Sequence, residues 1–275
     1  LSGLYTVKEN YVAALPHLRR LVAIRDTPEQ QDEPQFILNL LTLGTALSRA
    51  GELGPASAYL QRVVRLAEAL QDPQPILLAG SLSNLGDVYM EQQRYSEAEA
   101  LFRRAIPLSD SVGDEWRGKW QHQKHQLGMA LYYQDFDKDA EDIWLEVVGV
   151  LTEEFGADTF RLIPEYEALA DLYLYHERYL EAAAAYKEAG RLSAAEFGAD
   201  SGNAGYFDAR LGEMYAAVGE LEAAETVLVR AEDVYRRQRG AFDPSTLWIQ
   251  DLLARVREEL EEEEQESTGP GTSSY

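Results

Sequence analysis

The sequence predicts an all-α protein, a solenoid of antiparallel helix pairs, on three observations. Small residues recur 42 positions apart at Gly44, Gly86, Gly128, Ala170 and Gly212. Other residue types travel with them: Leu47, Tyr89, Leu131, Tyr173 and Tyr215 three positions on; Ala56, Ala98, Ala140, Ala182 and Ala224 twelve on; Leu60, Phe102, Trp144, Tyr186 and Leu228 sixteen on. Within a unit the apolar residues step by three and four, as in Leu82, Leu85, Tyr89 and then Ala98, Leu101, Phe102, Ala105, which is helical rather than strand periodicity. Each unit is therefore two helices. The small residue on the first and the alanine on the second mark where paired backbones approach closely, and the large residue four after the alanine fills the space beyond. A lone pair cannot bury such faces, so the units must stack.

Along the chain, residues 1–30 read as a truncated leading repeat, with Tyr5, Ala14, Leu18 and Leu21 on repeat positions. Leu1 falls partway through a first helix, so the chain reads as a piece of a longer protein or as a processed one. Residues 31–246 hold five tandem helix pairs. The breakers Gly, Pro, Asp and Ser gather between them, at 26–34, 71–75, 109–118, 155–158, 197–205 and 239–244. Pro55 suits the opening turn of a second helix. Pro16 and Pro107 lie deeper in theirs and are expected to kink or shorten them, because proline removes a helix hydrogen bond. Residues 247–260 make one more amphipathic helix through Leu247, Ile249, Leu252, Leu253, Val256 and Leu260, with Ala254 in register. This helix is the cap that a solenoid needs over its last apolar face. Residues 261–275 continue a glutamate run and end in a Ser/Thr/Gly/Pro tail, a composition that reads as disordered.

The second full unit, Leu82-x-x-Leu85-Gly86-x-x-Tyr89 followed by Ala98-x-x-x-Phe102 and Ala105, resembles the tetratricopeptide repeat in spacing and residue type. That family ordinarily repeats at about 34 residues; here the additional length falls at the end of the second helix and in the loop after it. The segment from Arg94 to Ala105, and loops such as Phe155-Gly156-Ala157-Asp158, look like the 42-residue repeats of kinesin light chains and related adaptors. The resemblance implies a right-handed superhelix whose first helices line the inside. The third unit departs from the pattern. Phe136 sits one place before the expected aromatic, Asp137 takes its register and Lys124 replaces a large apolar residue, so this pair is expected to pack irregularly.

Composition narrows the function. Hydrophobic content of 45% suffices for a continuous core, and an elongated array of 275 residues counts as one domain. No segment approaches the roughly 18 uninterrupted apolar residues of a membrane span. With no cysteine, disulfides, thiolate metal sites and cysteine catalysis are excluded; the compartment stays open, a reducing one such as cytoplasm or an organelle interior being most compatible. Against 48 acidic residues stand 25 basic ones, net −23, which disfavours nucleic acid and anionic membranes, whose phosphates are bound by Lys and Arg. A basic partner is favoured, although much of the charge, above all the terminal glutamates, serves solubility.

On the inner face that the resemblance implies, the position after each small residue holds Thr45, Asp87, Met129, Asp171 and Glu213, and the position three before holds Leu41, Ser83, His125, Glu167 and Ala209. Related peptide-binding arrays often place Asn two before the small residue; here Asn84 matches, and Thr42, Gln126, Ala168 and Arg210 stand at the equivalents. The Lys and Asn set with which chaperone-binding members clamp a terminal carboxylate does not occur. The expected ligand is a peptide with Lys or Arg and a large apolar anchor, lying across Asp87, Glu167, Asp171 and Glu213. Met129, Tyr132 and Tyr133 would supply adaptable apolar contacts.

Other features read as packing. His122 and His125 at i, i+3 could hold a metal, but no carboxylate or cysteine lies near at ligand spacing in the sequence, so no metal is assigned. Trp116 and Trp120 are expected to close gaps between repeats, and Tyr89, Tyr173 and Tyr215 to be core residues whose hydroxyls need partners. No phosphate loop, nucleophile elbow or metalloprotease helix occurs. The chain is thus expected to be non-catalytic, to need no cofactor and to hold other proteins. Three versions remain: a peptide-binding scaffold or adaptor, a structural subunit that stabilises a large assembly through its outer surfaces, and a peptide-sensing regulatory domain of a larger protein.

Overall fold

The structure is a computed structural model that describes residues 11–28, 30, 33–110 and 117–268. Tyr5 and Trp116, and the tail beyond Thr268, lie outside the described residues. Twelve α-helices occur among the described residues: α1 Tyr11–Arg25, α2 Pro34–Arg49, α3 Leu53–Ala69, α4 Pro75–Glu91, α5 Tyr95–Asp110, α6 Arg117–Tyr132, α7 Asp137–Phe155, α8 Ile163–Tyr175, α9 Tyr179–Phe197, α10 Gly202–Ala217, α11 Leu221–Arg239 and α12 Pro244–Thr268. They form two compact units, Leu1–Ile143 and Trp144–Tyr275, with the division inside α7. The sequence reads as one uninterrupted array, but spacing along a chain does not reveal where contacts thin out. In the first unit consecutive helices pack on one another from α1 to α6, and in the second from α8 to α12. This is the all-α helix-pair architecture that the spacing predicts.

The repeat positions have clear packing roles. A Cβ on Gly44 would lie 2.8 Å from Leu60, one on Gly86 2.7 Å from Phe102 and one on Gly212 2.5 Å from Leu228. The small residue therefore makes room for the large side chain sixteen positions on, rather than only for a neighbouring backbone. Ala56, Ala98, Ala140, Ala182 and Ala224 are completely buried, and so are Leu60, Phe102, Tyr186 and Leu228.

The turn between paired helices is the same five times. Gly51, Gln93, Asp135, Glu177 and Gly219 take positive φ, between 57° and 80°. The next residue in each case, Glu52, Arg94, Phe136, Arg178 or Glu220, donates its N–H to the carbonyl of Leu47, Tyr89, Leu131, Tyr173 or Tyr215 at 2.8–3.0 Å. This left-handed turn ends each first helix and satisfies its last carbonyls. A second positive φ recurs 42 residues apart at Gly156, Gly198 and Gly240.

Three expectations need correcting. Although a kink or shortening is expected at Pro16 and Pro107, neither proline ends its helix: α1 and α5 run on through them. The last helix does not end at Leu260 but continues to Thr268, because glutamate is a strong helix former and no breaker intervenes before Gly269. Leu247, counted on its apolar face, is half exposed, while Ile249, Leu252, Leu253 and Val256 cap the core formed by Ala224, Leu228, Ala231 and Tyr235. In the third pair, whose packing is expected to be irregular, the turn and the departing side chains are described. The turn backbone is regular, Phe136 points outward, and Lys124 is buried with its Nζ 4.6 Å from the Trp120 ring centroid.

Candidate functional site

The expected site residues divide between the two units. Asn84, Asp87, His125, Met129 and Tyr132 stand on α4 and α6 in the first, Glu167, Asp171, Arg210 and Glu213 on α8 and α10 in the second.

In the first unit, polar side chains of successive first helices join across the helix face. Thr45 Oγ1 donates to Asn84 Oδ1 at 3.4 Å, Ser48 Oγ to Glu91 Oε1 at 3.3 Å, and Asn84 Nδ2 to the Gly80 carbonyl at 2.6 Å. A cleft of about 280 Å³ opens along this ladder, lined among others by Arg49, Asp87, Glu91 and Gln126. His122 Nε2 lies 3.0 and 3.1 Å from the two Asp87 carboxylate oxygens. The fold thus supplies the carboxylate that the sequence does not place beside His122, although among the described residues no three metal-binding side chains gather. The hydrogen bond that His122 donates to Asp87 raises the His122 pKa against the effect of burial. One turn on, His125 is half-buried and its pKa falls to about 4, chiefly through burial and secondly through His122. It is neutral at pH 7 and adds no positive charge. Met129 and Tyr132 are half-buried. Exposed Tyr133 stacks on Tyr95 with centroids 4.7 Å apart, so α5 already holds one of the expected apolar contacts.

In the second unit the charged residues form one network. Arg210 Nη1 donates to Glu213 Oε2 at 2.7 Å, and Nη2 donates to the Tyr186 hydroxyl at 3.2 Å and stands 3.8 Å from Asp171. The Tyr186 hydroxyl donates in turn to Asp171 Oδ1. Burial, and then the bond to Asp171, drive the Tyr186 pKa far up, so this phenol stays protonated as a donor. Glu167 takes a hydrogen bond from Tyr206, yet burial and the Asp171 charge raise its pKa. The Tyr206 pKa is pushed up to about 12 by burial, Asp171 and Glu167. Burial opposes the Arg210 charge, but Tyr186 and Glu213 outweigh it and raise its pKa. Three carboxylates thus surround one guanidinium. Beside Arg210 a pocket of about 520 Å³ opens between Tyr206 and Trp248.

Sequence reasoning passed over Tyr206 and took Tyr186 for a core aromatic alone. Tyr206 and His122 both lie six positions before a small residue, and both bond a carboxylate of the preceding first helix. A polar aromatic at that register was the available signal. The expected core tyrosines also differ: Tyr173 and Tyr215 are half-buried, and Arg94 and Arg178 cover the rings of Tyr89 and Tyr173 at 3.8 and 4.2 Å from their centroids.

Paired helices with this spacing, turn and packing make the chain similar to tetratricopeptide repeat proteins, a class of interaction module. The family model described as tetratricopeptide repeat matches residues 35–111. Tetratricopeptide repeat protein 19, mitochondrial, of Rattus norvegicus is 30% identical over 94 residues, 34% of this chain and 24% of that protein. The chain thus spans about a quarter of that relative. Among solved structures, BtubC (BKLC) from P. vanneervenii superposes with a TM-score of 0.68 at 22% identity, over 84% of this chain and 90% of the other. The nearly identical TPR-like repeats of a Podosopora anserina putative kinesin light chain give 0.62 at 17% identity, over 75% of this chain and 99% of the other. These likenesses concern the fold. Proteins of this family generally serve as non-catalytic scaffolds for other proteins, and no described helix is long and apolar enough to cross a membrane.

Proposed function

We propose that the chain is an adaptor that holds a peptide carrying Lys or Arg and a large apolar residue against the first-helix face of its second unit. The observation that carries this reading is the excess of carboxylates there. Glu167, Asp171 and Glu213 gather around Arg210, and burial together with the Asp171 charge raises the pKa of Glu167. An incoming ammonium or guanidinium would offset that effect, and the pocket beside Tyr206 and Trp248 suits the apolar anchor. The first unit by itself offers a different feature, a ladder of amide and hydroxyl groups around Asn84 that suits a peptide backbone.

The test is fluorescence anisotropy with labelled peptides that combine Lys or Arg with Leu or Trp, against wild type and Asp171→Asn/Glu213→Gln. Binding that weakens in the variant and with added salt supports the reading, because exposed charge pairs are screened. Affinity unchanged by both removes the carboxylates from the site.

A second reading, a structural subunit held by its outer surfaces, rests on exposed phenylalanines between the helix pairs of the second unit. Phe155, Phe160, Phe197 and Phe242 are all exposed, Phe242 at 89%. Association through these would resist salt.

A further inference from the structure

The second unit holds another cavity, on the opposite side of α10 from the Arg210 network. Ala204, Phe207, Leu211 and Tyr215 line it at helical spacing, while Tyr206, Arg210 and Glu213 face the other way. Its volume is about 430 Å³, within the roughly 300–1,000 Å³ of small-molecule sites. The repeat register shows why it exists. At the position of Ala204 the preceding units carry Phe36, Leu78, Trp120 and Leu162, of which Phe36 and Leu162 are completely buried. At the position of Ala194, on the facing wall, the other units carry Glu68, Asp110, Thr152 and Arg236. The truncation at Ala204 leaves open a space where Phe36 and Leu162 are buried in their own repeats, and Ala194 leaves the facing wall short.

Three cations, Lys187, Arg191 and Arg230, stand at the lining of this cavity together with Asp208. Arg230 is held by Asp208 at 2.7 Å, and Arg191 by Asp158 at 2.7 Å and Glu188 at 2.9 Å. Lys187 is exposed and makes no ion pair among the described residues. The walls are the Tyr186 ring, Val227 and the α10 residues already named, so the interior offers apolar surface and the rim an available positive charge.

We propose that this cavity binds a small amphipathic anion, a medium-chain alkyl or an aryl carboxylate, with its apolar body on Phe207 and Leu211 and its head group at Lys187. The apolar body gains by leaving water, and the carboxylate gains a charge-assisted contact with an ammonium that needs no existing pair to break. The site is independent of the peptide reading. It shares with the peptide face only Tyr186, whose ring forms one wall and whose hydroxyl bonds Asp171.

Decanoate is the probe, titrated into the full chain by calorimetry, with amide shifts of Gly190, Ala194, Ala199 and Ala204 followed by NMR. The expected result is saturable one-to-one binding with shifts centred on these residues and weaker binding of uncharged decanol. Ala204→Leu restores the side chain that two other repeats carry there, and should abolish binding while leaving the melting temperature at or above wild type. Lys187→Glu should weaken binding by about tenfold. Should Ala204→Leu fold poorly, Ala194→Leu fills the cavity from its half-exposed wall and serves the same purpose. Binding unchanged by the filling variant, shifts elsewhere in the chain, or no saturable binding would overturn the proposal, and equal affinity for decanol would remove the anionic head group from it.

Discussion

Gly86→Ala should destabilise the first unit, against the usual preference for alanine within a helix. The new Cβ would lie 2.7 Å from Phe102 Cζ and 2.8 Å from Cε1, where carbon contacts are favourable at about 3.5–4.0 Å. Phe102 is completely buried, so its ring cannot swing clear without moving α5. Overpacking of this kind costs about 1–3 kcal/mol, and alanine recovers up to about 1 kcal/mol of helix propensity. A net loss on the order of 1 kcal/mol is expected. The control is Gly149→Ala in α7, where a Cβ meets nothing within 4 Å and the propensity gain stands alone. Urea denaturation of the two variants should therefore move their midpoints in opposite directions, separated by about 2 kcal/mol. Equal stabilisation by both would refute the reasoning. It would mean that α4 and α5 can relax to accept a methyl, as the chain carries at Ala170, the repeat position that precedes Tyr186.

Two further expectations concern the turns and the histidines. Gln93 and Glu177 hold the left-handed conformation at φ 59° and 57°, which costs a non-glycine residue about 1–2 kcal/mol, so Gln93→Gly or Glu177→Gly should stabilise by about 0.5–1 kcal/mol after the entropic cost of glycine of roughly 0.5–1 kcal/mol; a loss of stability in thermal unfolding would show that the side chain contributes more than the strain. His122 has a folded pKa above its ordinary 6.5, so its contribution is full below pH 6.5 and fades as pH rises through the folded value, whereas His125, lowered to about 4, makes the fold lose stability as pH falls from 6.5 towards 4. Relative to wild type, His122→Gln should steepen the loss of stability from pH 7 to pH 5 and His125→Gln should flatten it; the same slope in all three proteins would remove these residues from the pH response.

Much of the fold was legible because the same steric job recurs at the same repeat position. Gly44, Gly86 and Gly212 must be small for the side chain sixteen residues on, and that coupling leaves a regular trace in the sequence. The turns were less legible. Their left-handed residue is glycine at 51 and 219 but Gln93, Asp135 and Glu177 elsewhere, so the hydrogen-bonded turn, not the residue type, repeats. The end of α12 was missed because a glutamate run serves solvation and helix formation alike. At the candidate site, helical geometry placed Glu167, Asp171 and Glu213 on first helices, but which charges neutralise one another depends on packing. Arg210 inserts between Asp171 and Glu213, and Tyr186 and Tyr206 reach carboxylates 15 and 39 positions away in the chain. Such long-range pairings follow from the stacking of helices and have no local signal.

The most direct test of the central claim is an NMR shift map of the chain with a bound peptide carrying Lys and Leu, recorded at low and at high salt. The account predicts shifts concentrated at Glu167, Asp171, Tyr206, Arg210 and Glu213 that diminish as salt is raised. Shifts confined to the loops around Phe155, Phe197 and Phe242, and indifferent to salt, would contradict it and favour the structural subunit.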